Sequence, residues 1–387
     1  MDAARAAMEA FIEELPAPAQ SFSGAGVVIA AGGLDYLTNA WVAVTLLQEH
    51  GCTLPIQIWH LGGREMPGAL GRLFQAAGVE CVDAEVRFAE HGVKALRGWA
   101  LKPFAVVACP FRHVLLLDAD NVPVRDPSHL FDSPDYWRTG ALFWPDRQEG
   151  SGVPGALLLA NHPIWALTGV PYRGDPSFES GQLCVDKQRC WRELRLALWM
   201  NEHADFWYRY LYGDKDTFHI AWRKLGRAWA MPSDRPVQLD RRVFSQVDFD
   251  GRVLFQHRSG DKWRLAGDNP VIPTFAHEGR CREALADLRA RLLPAIGVGN
   301  DPLPPSAAKR LLWRRPGQPP RILGLQPGGI VDGQDEAARL WRLDGVNLVL
   351  IGNDLRESDP LQYVARAGAW LSARGDGTSL TAIAAAA

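Results

Sequence analysis

Two carboxylates one residue apart close an aliphatic run in Val114-Leu-Leu-Leu-Asp118-Ala-Asp120-Asn121. The run reads as a buried strand, and residues i and i+2 of a strand or strand end point the same way. Asp118 and Asp120 therefore converge. Like charges held together at a sheet's carboxyl edge are costly unless a cation neutralises them. Mn2+ or Mg2+ answers that need, because hard ions take oxygen ligands and share them with phosphates. A turn or helix cap is the competing reading, since Asp and Asn favour both. The place of the pair, directly behind an aliphatic strand, favours the metal.

The elements around this pair alternate. Gly26–Ala31 reads as a strand closed by Gly32-Gly33, Leu34–His50 as a helix capped by Gly51, and Pro55–Leu61 as a strand. A helix over Met66–Ala77, a strand over Val79–Val82, a helix over Gly98–Cys109 despite Pro103, and a strand over His113–Leu117 follow. This alternation implies an α/β sheet with parallel strands covered on both faces, whose ligands bind at the strands' carboxyl ends. Thr139–Trp144 reads as a further strand, Gln188–Tyr212 as helical, Arg252–Gln256 as a strand and Cys281–Leu293 as a helix. Trp191, Trp199 and Trp207 recur at helical spacing, and with Trp222 read first as core, with one of them a candidate wall for a sugar groove.

The chain divides into an N-terminal amphipathic segment (1–23), a main domain (24–300), a Pro-rich linker (301–320) and a small β-rich domain (321–387). Strands are expected at Ile322–Leu325, Leu340–Leu343 and Val346–Ile351, with a frayed end at Ala384–Ala387. Trp341, Asp344-Gly345 and Gly368-Ala-Trp370 mark the last domain as a candidate aid to acceptor or glycan binding, or equally as a structural appendage.

Composition bounds the rest. Among 387 residues, 42 Lys and Arg face 44 Asp and Glu, a net charge of −2, and no nucleic-acid partner is expected from that balance. Six cysteines without a C-x-x-C pair read as buried thiols in a reducing compartment. No signal peptide and no membrane span are expected, so the reading is a soluble, cytoplasmic protein. Oligomeric state is left open.

Six motifs in order now carry a resemblance: Gly98-Trp-Ala-Leu-Lys-Pro-Phe104, Leu115–Val124, Gly140-Ala-Leu-Phe-Trp-Pro-Asp146, Glu179-Ser-Gly-Gln182, Gly213-Asp-Lys-Asp-Thr-Phe218 and His257-Arg-Ser-Gly-Asp-Lys-Trp263. Over residues 24 to 300 the chain resembles nucleotide-sugar glycosyltransferases of the GT-A fold. It is most similar to the fungal-type family-71 α-mannosyltransferases and more distantly to the glycogenin-like family. The resemblance implies a Rossmann-like mixed sheet flanked by helices, a nucleotide-diphosphate sugar donor (GDP-mannose favoured, a UDP-hexose the alternative), a divalent metal, a carbohydrate acceptor and retention at the anomeric carbon. It assigns the metal to Asp118, Asp120 and His257, the diphosphate to Lys262 and donor binding to Lys102. Ala119, Asn121 and Gly260 share these motifs, and Ala30, Gly32 and Gly33 would let a base and ribose approach the first strand closely. Trp263 is better read as core. Asp216, Glu179, Asp214 and Gln182 are the candidates at the sugar, where a carboxylate can stabilise developing positive charge. Lys215 stands where the glycogenin-like pattern has an amide, which puts that sugar contact in doubt.

Two other functions compete. A sugar-phosphate nucleotidyltransferase would carry a basic Gly-rich loop after the first strand, and Ala31-Gly-Gly-Leu-Asp35 has no Lys or Arg. A non-enzymatic glycan-binding protein would have no need of the metal ligands. A dinucleotide cofactor is not supported, because Gly32-Gly33 is no G-x-G-x-x-G.

Overall fold

A computed structural model describes residues 2–15, 17–18, 21–147, 159–265, 269–299, 301–303, 310–367 and 369–383. The expectations for Gly368, for Ala384–Ala387 and for residues 304–309 of the linker fall outside these residues. Helix α1 (Asp2–Glu13) leads into strand β1 (Ser23–Ala30), followed by α2 (Gly33–Glu49), β2 (Ile56–His60), α3 (Gly68–Ala76) and β3 (Glu80–Asp83). A 3-10 turn at Gly98–Ala100 opens α4 (Leu101–Ala108), then β4 (Phe111–Asp118) and the short β5 (Asn121–Pro123). Pro103 is tolerated because it sits in the first helical turn, where its missing N–H has no partner to lose.

After α5 (Pro134–Thr139) come β6 (Ala141–Pro145), α6 (Pro163–Thr168) and β7 (Phe178–Asp186). Then follow α7 (Trp191–Glu202), α8 (Ala204–Trp207), α9 (Asp214–Leu225), β8 (Val237–Asp240), β9 (Val243–Val247), β10 (Val253–His257) and α10 (Glu278–Ala295). The stretch Gln188–Tyr212 is thus two helices that part at His203, and the strand expected at Thr139 begins only at Ala141.

The main sheet runs β3-β2-β1-β4-β7-β6. β1 pairs in parallel with β2 and β4, and β2 with β3, whereas β7 is antiparallel to both β4 and β6. The parallel sheet inferred from alternation is therefore mixed, as the resemblance implied. Both faces are covered. Val27, Ile29, Leu115 and Leu117 pack under α2, α3 and α10, while Val28, Val114 and Leu116 pack under α4, α7 and α9. Near-continuous apolar strands follow from that double burial. Trp191, Trp207 and Trp222 belong to the second layer and are buried, so they are core and not a sugar groove. Trp199 stacks on Phe11. A second sheet, β5-β10-β9-β8, is antiparallel and sets β10 beside the end of β4.

The C-terminal part is a closed antiparallel barrel of β11 (Leu311–Arg314), β12 (Arg321–Gln326), β13 (Ile330–Asp335), β14 (Ala338–Asp344), β15 (Asn347–Ile351), β16 (Leu361–Val364), β17 (Ala369–Ser372) and β18 (Ser379–Ala382). Its first strand lies inside the stretch read as a linker. The two Pro-rich patches dominated that reading, but Leu311 and Trp313 between them point into the barrel core. Closure pairs β11 with β18 and leaves no exposed edge. The barrel docks on α2: Asn353 accepts from Leu34 N through its backbone oxygen (2.7 Å) and from Asp35 N through Oδ1 (2.8 Å). Arg339 pairs with Asp35, and Leu340 and Ile351 join the core beneath α2 and α10. Gly32 provides no side-chain cap for α2, so the barrel supplies one from 318 residues away in sequence.

Candidate active site

Strand β4 ends at Asp118, and the turn to β5 carries Asp120. Antiparallel pairing of β10 on β5 sets His257 opposite Asn121, and Arg258 N donates to the Asp120 carbonyl (2.9 Å). Long-range pairing thereby delivers an imidazole to the two carboxylates. Ligand atoms of Asp118, Asp120 and His257 all lie within 4.8 Å of one another, and Asp120 Oδ1 is 3.3 Å from His257 Nε2. Two carboxylates and one imidazole suit Mn2+ and tolerate Mg2+. The donor set fits a divalent metal: two carboxylates and an imidazole, two of the three residues buried, converge within reach of one ion.

Two lysines stand against this pair. Lys102 lies 2.6 Å from Asp118 Oδ1, 3.5 Å from Asp214 Oδ2 and 3.5 Å from Ser180 Oγ. Burial alone would lower its pKa, but Asp118 and Asp214 outweigh that and hold it above its ordinary value. It is an anchored ammonium in the site, not a surface lysine. Lys262 contacts Asp120 and lies 5.4 Å from the Tyr36 ring centroid. Burial pushes it down to about 8. It is the more accessible of the two.

A second cluster adjoins. His257 Nδ1 is 3.5 Å from Glu179 Oε1, in contact without a hydrogen bond. Burial would raise Glu179, but His257 and Lys215 hold it well below the usual carboxylate range. Lys215 pairs with Asp146, whose carboxyl is pushed up to about 7 by burial and by Glu179 against the pull of that lysine. Asp214 is raised by burial, with Lys102 opposing. The residue that puzzled the sequence reading, Lys215, thus has a partner. Asp146 and Ser180 came within resembling motifs without a role, and Tyr36 was missed. Only the pairing of β6, β7 and α9 brings the first two in, which no spacing reveals.

Other expected residues are placed differently. Gln182 is 0% exposed; it accepts from Asn121 Nδ2 (2.5 Å) and donates to Gln246 Oε1 (2.6 Å). This amide chain runs beneath the site, so Gln182 and Asn121 support it and do not face a ligand. Asp216 is buried and accepts from Tyr212 N (2.9 Å), fixing the turn before α9, while Asp214 is the acid brought to Lys102. A Cβ at Gly32 would collide with Glu65, and one at Gly33, where φ is +70°, with Asn353. Those glycines admit protein side chains at the edge of β1, beside Ala30, whose register partner is Asp118. Gly260 packs on Arg242, and Ala119 is buried between the two acids. Trp263 is core, with Arg258 over its ring at 3.8 Å and Phe275 edge-on to it. All six cysteines are free, five of them buried. Among the described residues no helix is long and apolar enough to cross a membrane.

Residues 24–153, which include the strand with the paired aspartates, match the family model described as "Mannosyltransferase putative". The α-1,2-mannosyltransferase MNN21 of Candida albicans is 26% identical over 296 residues, 62% of this chain and 44% of its own length. The α-1,2-mannosyltransferase MNN2 of Saccharomyces cerevisiae is 25% identical over 252 residues, 54% of this chain and 42% of its own. The chain therefore spans less than half the length of these relatives. Among solved structures, the galactosyltransferase LgtC in complex with donor and acceptor sugar analogs aligns at 17% identity with a TM-score of 0.42, covering 69% of this chain and 100% of that one. The resemblance to α-mannosyltransferases read from the six motifs is borne out by these matches.

Proposed function

We propose that the chain is a metal-dependent, retaining glycosyltransferase that moves mannose from a nucleotide-diphosphate sugar to a hydroxyl of a glycan acceptor. The observation that carries this is the convergence of Asp118, Asp120 and His257 within 4.8 Å at the carboxyl end of the central strand. The matched α-1,2-mannosyltransferases support mannose as the sugar, and GDP is the carrier favoured by the motif resemblance.

The reaction joins the acceptor oxygen to the anomeric carbon. It breaks the bond from that carbon to the phosphate oxygen and releases a nucleoside diphosphate and a proton. Asp118, Asp120 and His257 would hold the divalent ion, which when bound supplies Lewis-acid charge to the leaving diphosphate. Lys262 adds a mobile point charge to the same phosphates. Lys102 keeps Asp118 and Asp214 in place and screens their mutual repulsion. Glu179, held ionised, and Asp214 are the carboxylates available to a sugar carbon that becomes positive. Asp216 acts through the turn it fixes, as a positioning residue.

The test is transfer of labelled mannose from GDP-mannose to methyl α-mannoside with Mn2+. Asp120→Asn keeps the shape and removes the charge, so transfer and donor hydrolysis both fall by at least about a hundredfold. Retention of parent activity in that variant refutes the assignment.

A further inference from the structure

Trp99 and Tyr212 are large aromatics that the fold leaves in water, 51% and 48% exposed. They come from distant parts of the chain, yet their ring centroids are 6.0 Å apart at an interplanar angle of 39°. Each is tied to the site through its own element. Trp99 lies on the 3-10 turn that opens α4, three residues before Lys102, and Tyr212 precedes Asp214 by two. Lys102 and Asp214 are the ion pair described above. A chain of charge contacts thus runs from His257 and Asp120 at one end, past Asp118 and Lys102, to Asp214, and the aromatic pair stands at the far end.

The turn between them is built for this contact. Gly213 has φ +70° and ψ −154°, and a Cβ there would fall 2.7 Å from Trp99 Cε3, so the indole lies directly on the backbone that presents Asp214. Lys215 lies 5.2 Å from the Tyr212 ring centroid on its way to Asp146. Beside the pair opens a cleft of about 480 Å³, walled by Arg97, Trp99, Asp205, Tyr208 and Arg209. Exposed aromatic faces present a flat apolar platform, and guanidinium and carboxylate groups around it give planar donors and acceptors. That combination matches a hexose ring, which is apolar on its C–H face and ringed by hydroxyls.

We propose that Trp99, Tyr212 and this cleft form the acceptor subsite, taking a neutral hexose of a glycan with its C–H face on the indole. The proposal rests on the glycosyltransferase reading and names the surface on which that reaction's second substrate sits. The diphosphate belongs to the opposite end of the charge chain, so the platform contacts acceptor and not the nucleotide. Arg97, Asp205 and Arg209 reach hydroxyls from the rim.

Two measurements on the full chain test this. In steady-state transfer from GDP-mannose to methyl α-mannoside, Trp99→Ala raises the acceptor KM about tenfold or more. The donor KM stays within about twofold of the parent. Trp99→Phe, which keeps a ring, restores most of the acceptor affinity. Saturation-transfer NMR then reads binding of methyl α-mannoside without turnover: the parent gives a saturable signal that Trp99→Ala and Tyr212→Ala lose. Trp99→Phe, which keeps a ring on Gly213, leaves the thermal midpoint close to that of the parent. An unchanged acceptor KM, a donor KM that rises in step, or glycoside binding equal in parent and variants overturns the proposal. A parent that binds the glycoside through Trp99 but neither transfers nor hydrolyses donor supports the subsite and refutes the reaction.

Discussion

His219 offers a sharp test of how the edge of the candidate site is packed. It lies on α9 behind Asp214, fully buried, with its ring parallel to Phe178 of β7 at 4.4 Å and 7°, and edge-on to Trp229. Neither ring nitrogen has a hydrogen-bond partner among the described residues. Burial, with the nearby Arg223 in second place, pushes its pKa down to about 3. The folded value is below the ordinary one of about 6.5, so the unfolded chain binds the extra proton first. The contribution of a neutral His219 is complete above about pH 6.5 and is lost as pH falls from there toward 3. Each unit in that window costs about 1.4 kcal/mol, so at pH 5 the loss is about 2 kcal/mol. That is a large fraction of the 5–15 kcal/mol typical of folded proteins. His219→Phe keeps an aromatic of similar size on Phe178 and removes the proton site. Urea unfolding followed by tryptophan fluorescence at pH 7 and pH 5 is the assay. The parent loses about 2 kcal/mol more than the variant between those conditions. Other histidines titrate equally in both proteins and cancel in the difference. Parallel loss in parent and variant would refute the reasoning.

Asn353→Ala removes the side-chain cap on Asp35 N–H and costs roughly 1 kcal/mol, while weakening donor binding several-fold as the β1 edge loosens. Calorimetric titration of GDP-mannose with Mn2+ checks this, with the neighbouring Asp354→Ala as an unaffected control. Gly213→Ala forces a side chain into a glycine-only backbone against Trp99 and costs about 1–3 kcal/mol. It also displaces Asp214, so a thermal shift and a loss of donor hydrolysis are expected together.

The aspartate pair was legible because an aliphatic strand announces where it stops, and a sheet's carboxyl edge is where charge can be used. His257 was legible only through the motif order, since the pairing of β10 on β5 that delivers it leaves no mark in local spacing. β7 was not seen as a strand. Phe178–Asp186 mixes Glu, Ser, Gly, Gln and Cys, and its burial on both faces depends on neighbours far away in sequence. The same blindness hid Asp146 and misplaced Gln182, which reads as a sugar contact by position but is held in an amide chain beneath the site. Gly32 and Gly33 were singled out as places where a base and ribose could approach closely. What approaches is Glu65 and Asn353, the latter from a barrel whose docking no sequence pattern announced. Among the tryptophans, Trp191 and Trp207 proved to be core while Trp199 is half-buried against Phe11, and Trp99, unremarked within its motif, is among the exposed ones.

The account stands or falls on whether Asp118, Asp120 and His257 hold a cation together with a nucleoside diphosphate. Electron paramagnetic resonance of free Mn2+, titrated with protein in the presence of GDP, counts bound metal directly. The parent is predicted to remove one Mn2+ per chain from the free signal, and Asp118→Asn, Asp120→Asn and His257→Ala to remove none at the same concentration. Equal Mn2+ uptake by the parent and all three variants would contradict it.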